Sequence, residues 1–381
     1  MHPTHPSLEY ALVFVLAAGG CYLLTPLARA IAVWWKAVAM PRDRDVHAVA
    51  TPRMGGAALF LGFALAIGVA RALPTLSSAF VQGPDFAWIL FAGGLLCAVG
   101  VLDDRYELDS LTKLAGQVVA SGVMVTKGGV QLAVIYVPFA HLGTISLGTD
   151  LGIPITILLT VVTINAVNFI DGLDGLAAGV TAISALAFFV FSYHLAQLGR
   201  VDVAAAPTLL CAALAGACIG FLPHNFAPAR IFMGDSGSMF AGLMLSAATV
   251  TATTSTDPSV FGGQGSLALY LPLLIPLAVL AIPFVDLSLA IVRRLRRGQS
   301  PFAPDKQHLH HRMLEIGHTH RRAVLLLYFW SALLAGGGVT LSISQRTTDV
   351  FYVLGVLAVL GVVASLIPRL RSAVVDRRAS R

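Results

Sequence analysis

Residues 151–197 read LGIPITILLTVVTINAVNFIDGLDGLAAGVTAISALAFFVFSYHLAQ. Two apolar stretches, near 151–170 and 175–197, flank a short segment whose only charges are Asp171 and Asp174. Each stretch has about the 20 residues an α-helix needs to cross the hydrocarbon core of a bilayer. Charged side chains are expensive inside that core, so the two carboxylates mark where the chain leaves one span and turns into the next. The fold class follows: an all-α polytopic integral membrane protein with its polar chemistry at span ends.

The rest of the chain has the same character. It has 381 residues, 57% hydrophobic and 12% charged, with a mean hydropathy of +0.81. A soluble domain carries about a quarter charged residues. Apolar runs predict about eleven transmembrane helices, near 8–28, 54–73, 86–102, 111–127, 151–170, 175–197, 204–222, 237–256, 267–292, 323–343 and 350–368. No Lys or Arg precedes the first run, and Arg29, Lys36, Arg42 and Arg44 follow it. That is the reverse of a secretory signal, so the run reads as a permanent helix with its N-terminus outside. In this N-out/C-in topology 21 of the 25 Lys and Arg fall on the cytoplasmic side, against Arg71, Lys127, Arg200 and Arg346 outside, as the positive-inside rule requires. The net charge of +6 is thereby assigned to membrane sidedness, and no nucleic-acid partner is expected.

The chain reads as a single transmembrane domain, 1–381, with cytoplasmic loops near 29–53, 103–113, 171–175, 223–236 and 293–322. Val130–Gly148 alternates β-branched residues with Gly and Pro and predicts a small outer β-hairpin. Pro272, Pro276 and Pro283 predict a bent or broken ninth span. Cys21, Cys97, Cys211 and Cys218 lie in apolar runs without metal-ligand spacing and read as small core residues.

By topology, the carboxylates collect on one membrane face. Asn165, Asn168, Asp171 and Asp174 step by three, which on a helix stacks them along one side. Gly172 and Gly175 would let backbone approach a ligand closely. Carboxylates at a span end with no basic neighbour want a cation, and oxygen ligands of this kind favour Mg²⁺. The plain alternative is a solvated polar cap. Asp103 and Asp104 end the third span; adjacent helical residues point about 100° apart, so one could face the site while the other holds Lys113. In GDSGS, Asp235 and two serines begin the eighth span. Helix-start N–H donors there suit a phosphate, or else make an ordinary helix cap. His308, His310, His311, His318 and His320 lie among Lys306, Arg312, Arg321 and Arg322. That mixture suits phosphate better than zinc, or simply a solvated basic loop.

TPRMGG (51–56), LDD (102–104), LTKLAGQ (111–117), NAVNFIDGLDGLAAG (165–179), NFAPARIFMGDSGS (225–238) and HLHH (308–311) follow in an order that resembles the polyprenyl-phosphate N-acetylhexosamine-1-phosphate transferases. The resemblance runs from about Pro41 to Arg322. It looks closest to the bacterial UDP-GlcNAc branch, the WecA/TagO group. The MraY branch, which uses UDP-MurNAc-pentapeptide, typically has PTMGG and three adjacent histidines followed by Phe-Glu. This chain departs from it at Arg53 and at His308-Leu309-His310-His311-Arg312.

The resemblance implies transfer of N-acetylglucosamine 1-phosphate from UDP-GlcNAc to a polyprenyl phosphate, undecaprenyl or decaprenyl, with release of UMP. The lipid-linked pyrophosphoryl sugar starts a cell-envelope glycopolymer, and the setting is the bacterial inner membrane with the site facing the cytoplasm. It implies Asp171 and Asp235 as ligands of Mg²⁺, with Mn²⁺ as a substitute. Asp103 and Asp104 would hold or deprotonate the lipid phosphate, and Lys113 would neutralise it. Asn165, Asn168, Asn225 and Ser238 would position the nucleotide sugar. Phe232 would stack on uracil, with Gly172, Leu173 and the catalytic-site Asp174 at the base. His308, His310, His311 and Arg312 would bind diphosphate and sugar. A homodimer is compatible with the sequence, which is silent on oligomeric state. The rival class is a transporter, whose sites lie nearer the bilayer midplane.

Overall fold

The computed structural model of the chain describes residues 6–39, 50–136, 144–197, 201–255, 317–344 and 346–379, with scattered positions between 288 and 313. The expected ninth span with its prolines, and His308, His310, His311 and Arg312, lie outside the described residues.

Helices dominate, because in a bilayer a backbone must satisfy its own hydrogen bonds. In chain order they are α1 (Pro6–Trp34), α2 (Gly55–Ala70), the short α3 (Ala79–Gln82), α4 (Phe86–Tyr106), α5 (Ser110–Thr126), α6 (Gly148–Phe169), α7 (Leu176–Gln197), α8 (Val201–Asn225), α9 (Gly234–Ser255), α10 (His320–Ile343) and α11 (Thr347–Ala379). Every expected span except the ninth overlaps one of these. Seven are long and apolar enough to cross a membrane: α1, α4, α6, α7, α8, α10 and α11. Helices α2 and α5, at 16 and 17 residues, are shorter.

The exception among the long helices is α9. Its 22 residues include Ser236, Ser238, Ser246, Thr249, Thr251 and Thr253, too many hydroxyls for an apolar span. The packing explains how this is tolerated. Helices α2, α4, α6 and α8 surround α9, and its residues from Ser236 to Ala252 are buried. Thr249 and Thr251 donate to carbonyls one turn back, at 2.8 and 2.7 Å, and Ser246 pairs with Thr160 of α6 at 2.8 Å. At the other extreme, only 6% of the α11 span is buried, against 89% of the α8 span.

Glycine lets the wall reach the centre. A Cβ on Gly56 of α2 would sit 2.1 Å from the Gly237 nitrogen, and one on Gly100 of α4 would sit 2.3 Å from Ser236 Cα. Small residues at such crossings allow backbones to touch, and here they clamp the N-terminal turn of α9.

Two ribbons complete the described fold. Strands β3 (Val134–Tyr136) and β4 (Thr144–Ser146) pair antiparallel within the segment expected to form a hairpin. The sequence reading did not anticipate the other ribbon, in which β1 (Val38–Ala39) pairs with β2 (Thr51–Pro52). Beyond it, Phe232 N–H donates to Pro52 O at 2.8 Å, and the Gly55 and Gly56 N–H groups donate to the Phe232 and Met233 carbonyls at 3.1 and 3.0 Å. TPRMGG and IFMGD are thus laced together by backbone, which places the start of α9.

Candidate active site

Lys113 projects from the first turns of α5 between two carboxylates. Its Nζ lies 2.6 Å from Asp103 Oδ2 and 2.8 Å from Asp235 Oδ2. Asn168, near the end of α6, donates to Asp235 Oδ1 at 3.1 Å and to Ser238 Oγ at 2.9 Å. Four helices therefore each contribute a polar side chain to one cluster: α4, α5, α6 and α9. The partners fix the Asp235 carboxylate from two sides, since each oxygen has its own donor.

The adjacent carboxylates on α4 divide their work. Asp103 Oδ1 accepts from Leu108 N–H at 2.7 Å while its other oxygen holds Lys113. Asp104 turns to α9. Its oxygens accept from Asp235 N–H at 2.9 Å, Ser236 N–H at 3.3 Å and Ser236 Oγ–H at 2.7 Å. The start of α9, expected to suit a phosphate, is occupied by a carboxylate of the chain itself. A negative charge there is favourable for the same reason a phosphate would be, the partial positive charge of the helix N-terminus.

The Asp171/Asp174 segment is a turn, residues 170–175, since α6 ends at Phe169 and α7 begins at Leu176. The three-residue step is helical for Asn165 and Asn168 only. Asp171 is half-buried beside Asp235. Burial pushes its carboxyl well above the ordinary range, and the charges of Asp235 and Asp104 push the same way; Arg53 and the Gly234 N–H oppose them. Asp174 accepts from Ala229 N–H at 2.9 Å, and its own N–H donates to His320 Nε2 at 3.0 Å. Gly175 has φ +78°, and a Cβ on it would meet Phe226 and Tyr328; this glycine serves a tight turn packed on protein. Gly172 is exposed and Leu173 buried.

Other expected site residues hold structure around the cluster. Asn165 donates to Gln117 Oε1 at 2.7 Å, an amide pair joining α6 to α5. Asn225 donates to Ile231 O at 3.0 Å and closes the loop that carries half-buried Phe232. Sequence reasoning gave no role to Gln117 or Tyr328; it named Arg53 only as a motif departure, Ser236 only as one of the two GDSGS serines and Arg321 only as part of a basic loop. Arg321 Nε donates to Ala227 O at 2.9 Å, and Tyr328 donates to Gly175 O. Gln117 had a signal: it is one turn past Lys113, a polar residue directly before the apolar Val118, Val119 and Ala120. His318 leaves the site altogether; its Nε2 meets Ser365 O at 2.9 Å.

The donor set suits a hard divalent cation. Among the described residues no group of three or more His, Cys, Asp or Glu is arranged to hold a metal by itself. Mg²⁺ does not need one, because it binds through one or two carboxylates together with substrate phosphates and water. Asp171 and Asp235 are the two carboxylates here that would serve such a cation, which would add to the positive charge that Lys113 already brings to Asp235.

Residues 86–253, which include every carboxylate of this cluster, match the description Glycosyl transferase family 4. The chain is 49% identical over 367 residues to a decaprenyl-phosphate N-acetylglucosaminephosphotransferase of Mycolicibacterium smegmatis, covering 96% of this chain and 90% of that one. The chain belongs to glycosyl transferase family 4. A Mycobacterium tuberculosis relative with the same description is 48% identical, with 96% and 90% covered. An undecaprenyl-phosphate alpha-N-acetylglucosaminyl 1-phosphate transferase of Haemophilus influenzae is 32% identical, with 84% and 83% covered. In this family 4 chain the matched segment begins at the first residue of α4 and ends within α9, so it encloses the four helices that build the cluster.

Proposed function

We infer that the chain transfers N-acetylglucosamine 1-phosphate from UDP-GlcNAc to a polyprenyl phosphate. The observation that carries this is the near full-length likeness to transferases of that description. The relatives at 47–49% identity name decaprenyl phosphate and those at 30–32% undecaprenyl phosphate, which favours decaprenyl phosphate as the acceptor.

In the reaction an oxygen of the prenyl phosphate forms a bond to the sugar-bearing phosphorus of the donor. The bond from that phosphorus to the bridging oxygen breaks, and UMP leaves with the electron pair. Between anions such a transfer needs positioning and positive charge more than covalent chemistry by the protein. Lys113, anchored by Asp103 and Asp235, presents its ammonium to the incoming phosphates. Asn168 fixes the orientation of Asp235. Asp104 holds the first turn of α9 and acts through Asp235. Asp103 is the carboxylate left to receive a proton from the lipid phosphate. Mg²⁺, or Mn²⁺ in its place, would be held by Asp171 and Asp235 and would supply positive charge against the diphosphate. Phe232, Asn225 and the 171–175 turn form the nucleotide side. His308, His310, His311 and Arg312 are assigned to diphosphate and sugar from the family resemblance alone. The distribution of Lys and Arg along the sequence supports an eleven-span N-out/C-in arrangement, with the site on the cytoplasmic face of a bacterial inner membrane, where the soluble nucleotide is.

Purified protein in detergent should release UMP from UDP-GlcNAc when decaprenyl phosphate is added, and should leave UDP-MurNAc-pentapeptide untouched. Efficient turnover of the pentapeptide donor would move the chain to the other branch. Substrate uptake into vesicles without UMP release would favour the transporter reading.

A further inference from the structure

Beside the carboxylate cluster, the ends of α1 and α4 and strand β1 enclose a cavity of about 350 Å³. Lys36, Arg53 and Arg105 line it together with Tyr106, Glu107 and the side of Asp104. It shares Asp104 with the cluster but includes none of Lys113, Asn168 or Asp235. The three cations come from separate elements: the turn after α1, the residue after β2 and the last turn of α4. Their convergence is a product of the fold.

Two further observations indicate what the cavity takes. The Arg105 guanidinium lies 5.2 Å from the Tyr106 ring centroid, with its Nε removed from solvent and, among the described residues, without a hydrogen-bond partner. A buried donor left unmade is costly, and the neighbouring Asp104 oxygens are committed to Asp235 and Ser236. A planar guanidinium and an ammonium lining one cavity suit phosphate oxygens. The depth is set by aromatic residues. Trp34 is 81% exposed, and Trp35 packs edge-on against Tyr106 at 6.1 Å. Tryptophan and tyrosine gather where headgroups meet hydrocarbon.

We propose that this cavity is a second phosphate site, distinct from the Lys113–Asp235 cluster, which takes the phosphate group of a membrane lipid. Two lipids carry that chemistry: the prenyl phosphate acceptor, whose assignment rests on the transferase reading, and an anionic phospholipid of the surrounding membrane.

The test is native mass spectrometry of the full-length protein titrated with farnesyl phosphate or with dioleoyl phosphatidylglycerol. The wild type should hold a tight equivalent of at least one of them. The double substitution Lys36→Ala, Arg105→Ala should weaken that equivalent about tenfold or more, the scale of a lost charged hydrogen bond. Arg105→Lys alone should weaken binding less than the double substitution, which separates charge from fold. A loss confined to farnesyl phosphate assigns the cavity to the acceptor, and a loss confined to phosphatidylglycerol assigns it to bulk lipid. Equal binding of both lipids by wild type and double variant overturns the proposal. So does a raised KM for UDP-GlcNAc with lipid binding intact, which would give the cavity to the nucleotide. Absence of UMP release by the wild type would sink the transferase reading and leave the binding result to decide the site.

Discussion

Asp104→Asn separates a carboxylate that touches substrate from one that positions another residue. Asp104 is 6% exposed, and its two oxygens take three donors, at 2.9, 3.3 and 2.7 Å, all from the first residues of α9. An asparagine offers one oxygen. It can keep the Asp235 N–H, but its own NH₂ then faces the Ser236 N–H, donor against donor. The Ser236 hydroxyl can turn to accept from that NH₂, so the loss is one hydrogen bond to a charged group, about 2 kcal/mol, and the attraction of an anion to a helix N-terminus, about 1 kcal/mol at partial burial. The total of about 3 kcal/mol corresponds to roughly 4 °C in unfolding midpoint at about 1.2 °C per kcal/mol for a chain of this length. Thermal unfolding in detergent, followed by tryptophan fluorescence, measures the midpoint; UMP release measures transfer. Both should fall together, with the KM for the lipid acceptor little changed. Collapse of transfer with a midpoint unchanged to within about a degree would refute the positioning role and return Asp104 to direct work on the lipid phosphate.

Further outcomes follow from the same geometry. Asp235→Asn places an amide between the donors Lys113 and Asn168, so it should lower stability modestly and lower Mg²⁺-dependent UMP release on the order of a thousandfold or more; near wild-type release with unchanged Mg²⁺ dependence would remove Asp235 from the metal site. Asp171→Asn should raise the unfolding midpoint of metal-free protein at neutral pH. A carboxyl raised on folding imposes no penalty below its ordinary pKa of about 4, and the penalty grows as pH rises through the raised value, so the gain should vanish in midpoints measured near pH 4. Gly56→Ala puts a methyl against the Gly237 backbone and should cost about 3 kcal/mol or more, seen as loss of the monodisperse peak on size exclusion. Since the four native cysteines are buried, Ser110→Cys and Arg346→Cys report topology: an impermeant thiol reagent on intact cells should label only the second.

The length of apolar runs and the position of aspartates at their ends were legible because each is a local property of the chain. The partner of each aspartate was not. Asp103 and Asp104 are neighbours with the same chemistry, and only the packing of α4 on α9 decides that one takes Lys113 and the other caps a helix. The stacked reading of Asn165, Asn168, Asp171 and Asp174 failed at its second half, because helix α6 stops at Phe169 and the aspartates occupy the turn. Gln117 stood in a quoted motif, yet its pairing with Asn165 needs two helices in register. The β1–β2 ribbon escaped because two-residue strands have no readable period.

Helix α9 carries Asp235 and is too rich in serine and threonine to count among the spans apolar enough to cross a membrane unaided. Asp235 is costly in lipid alone, whereas Asp235 and Ser246 both find partners once α5 and α6 pack on the helix. During biogenesis, α9 therefore has reason to wait at the aqueous boundary until its neighbours have entered, then join them as a late guest. If α9 joins last, the Lys113–Asp235 cluster forms only once its walls stand. Glycosylation-acceptor mapping of nested truncations would reveal the delay; stable spanning of α9 in a chain lacking α2 and α4 would rule it out.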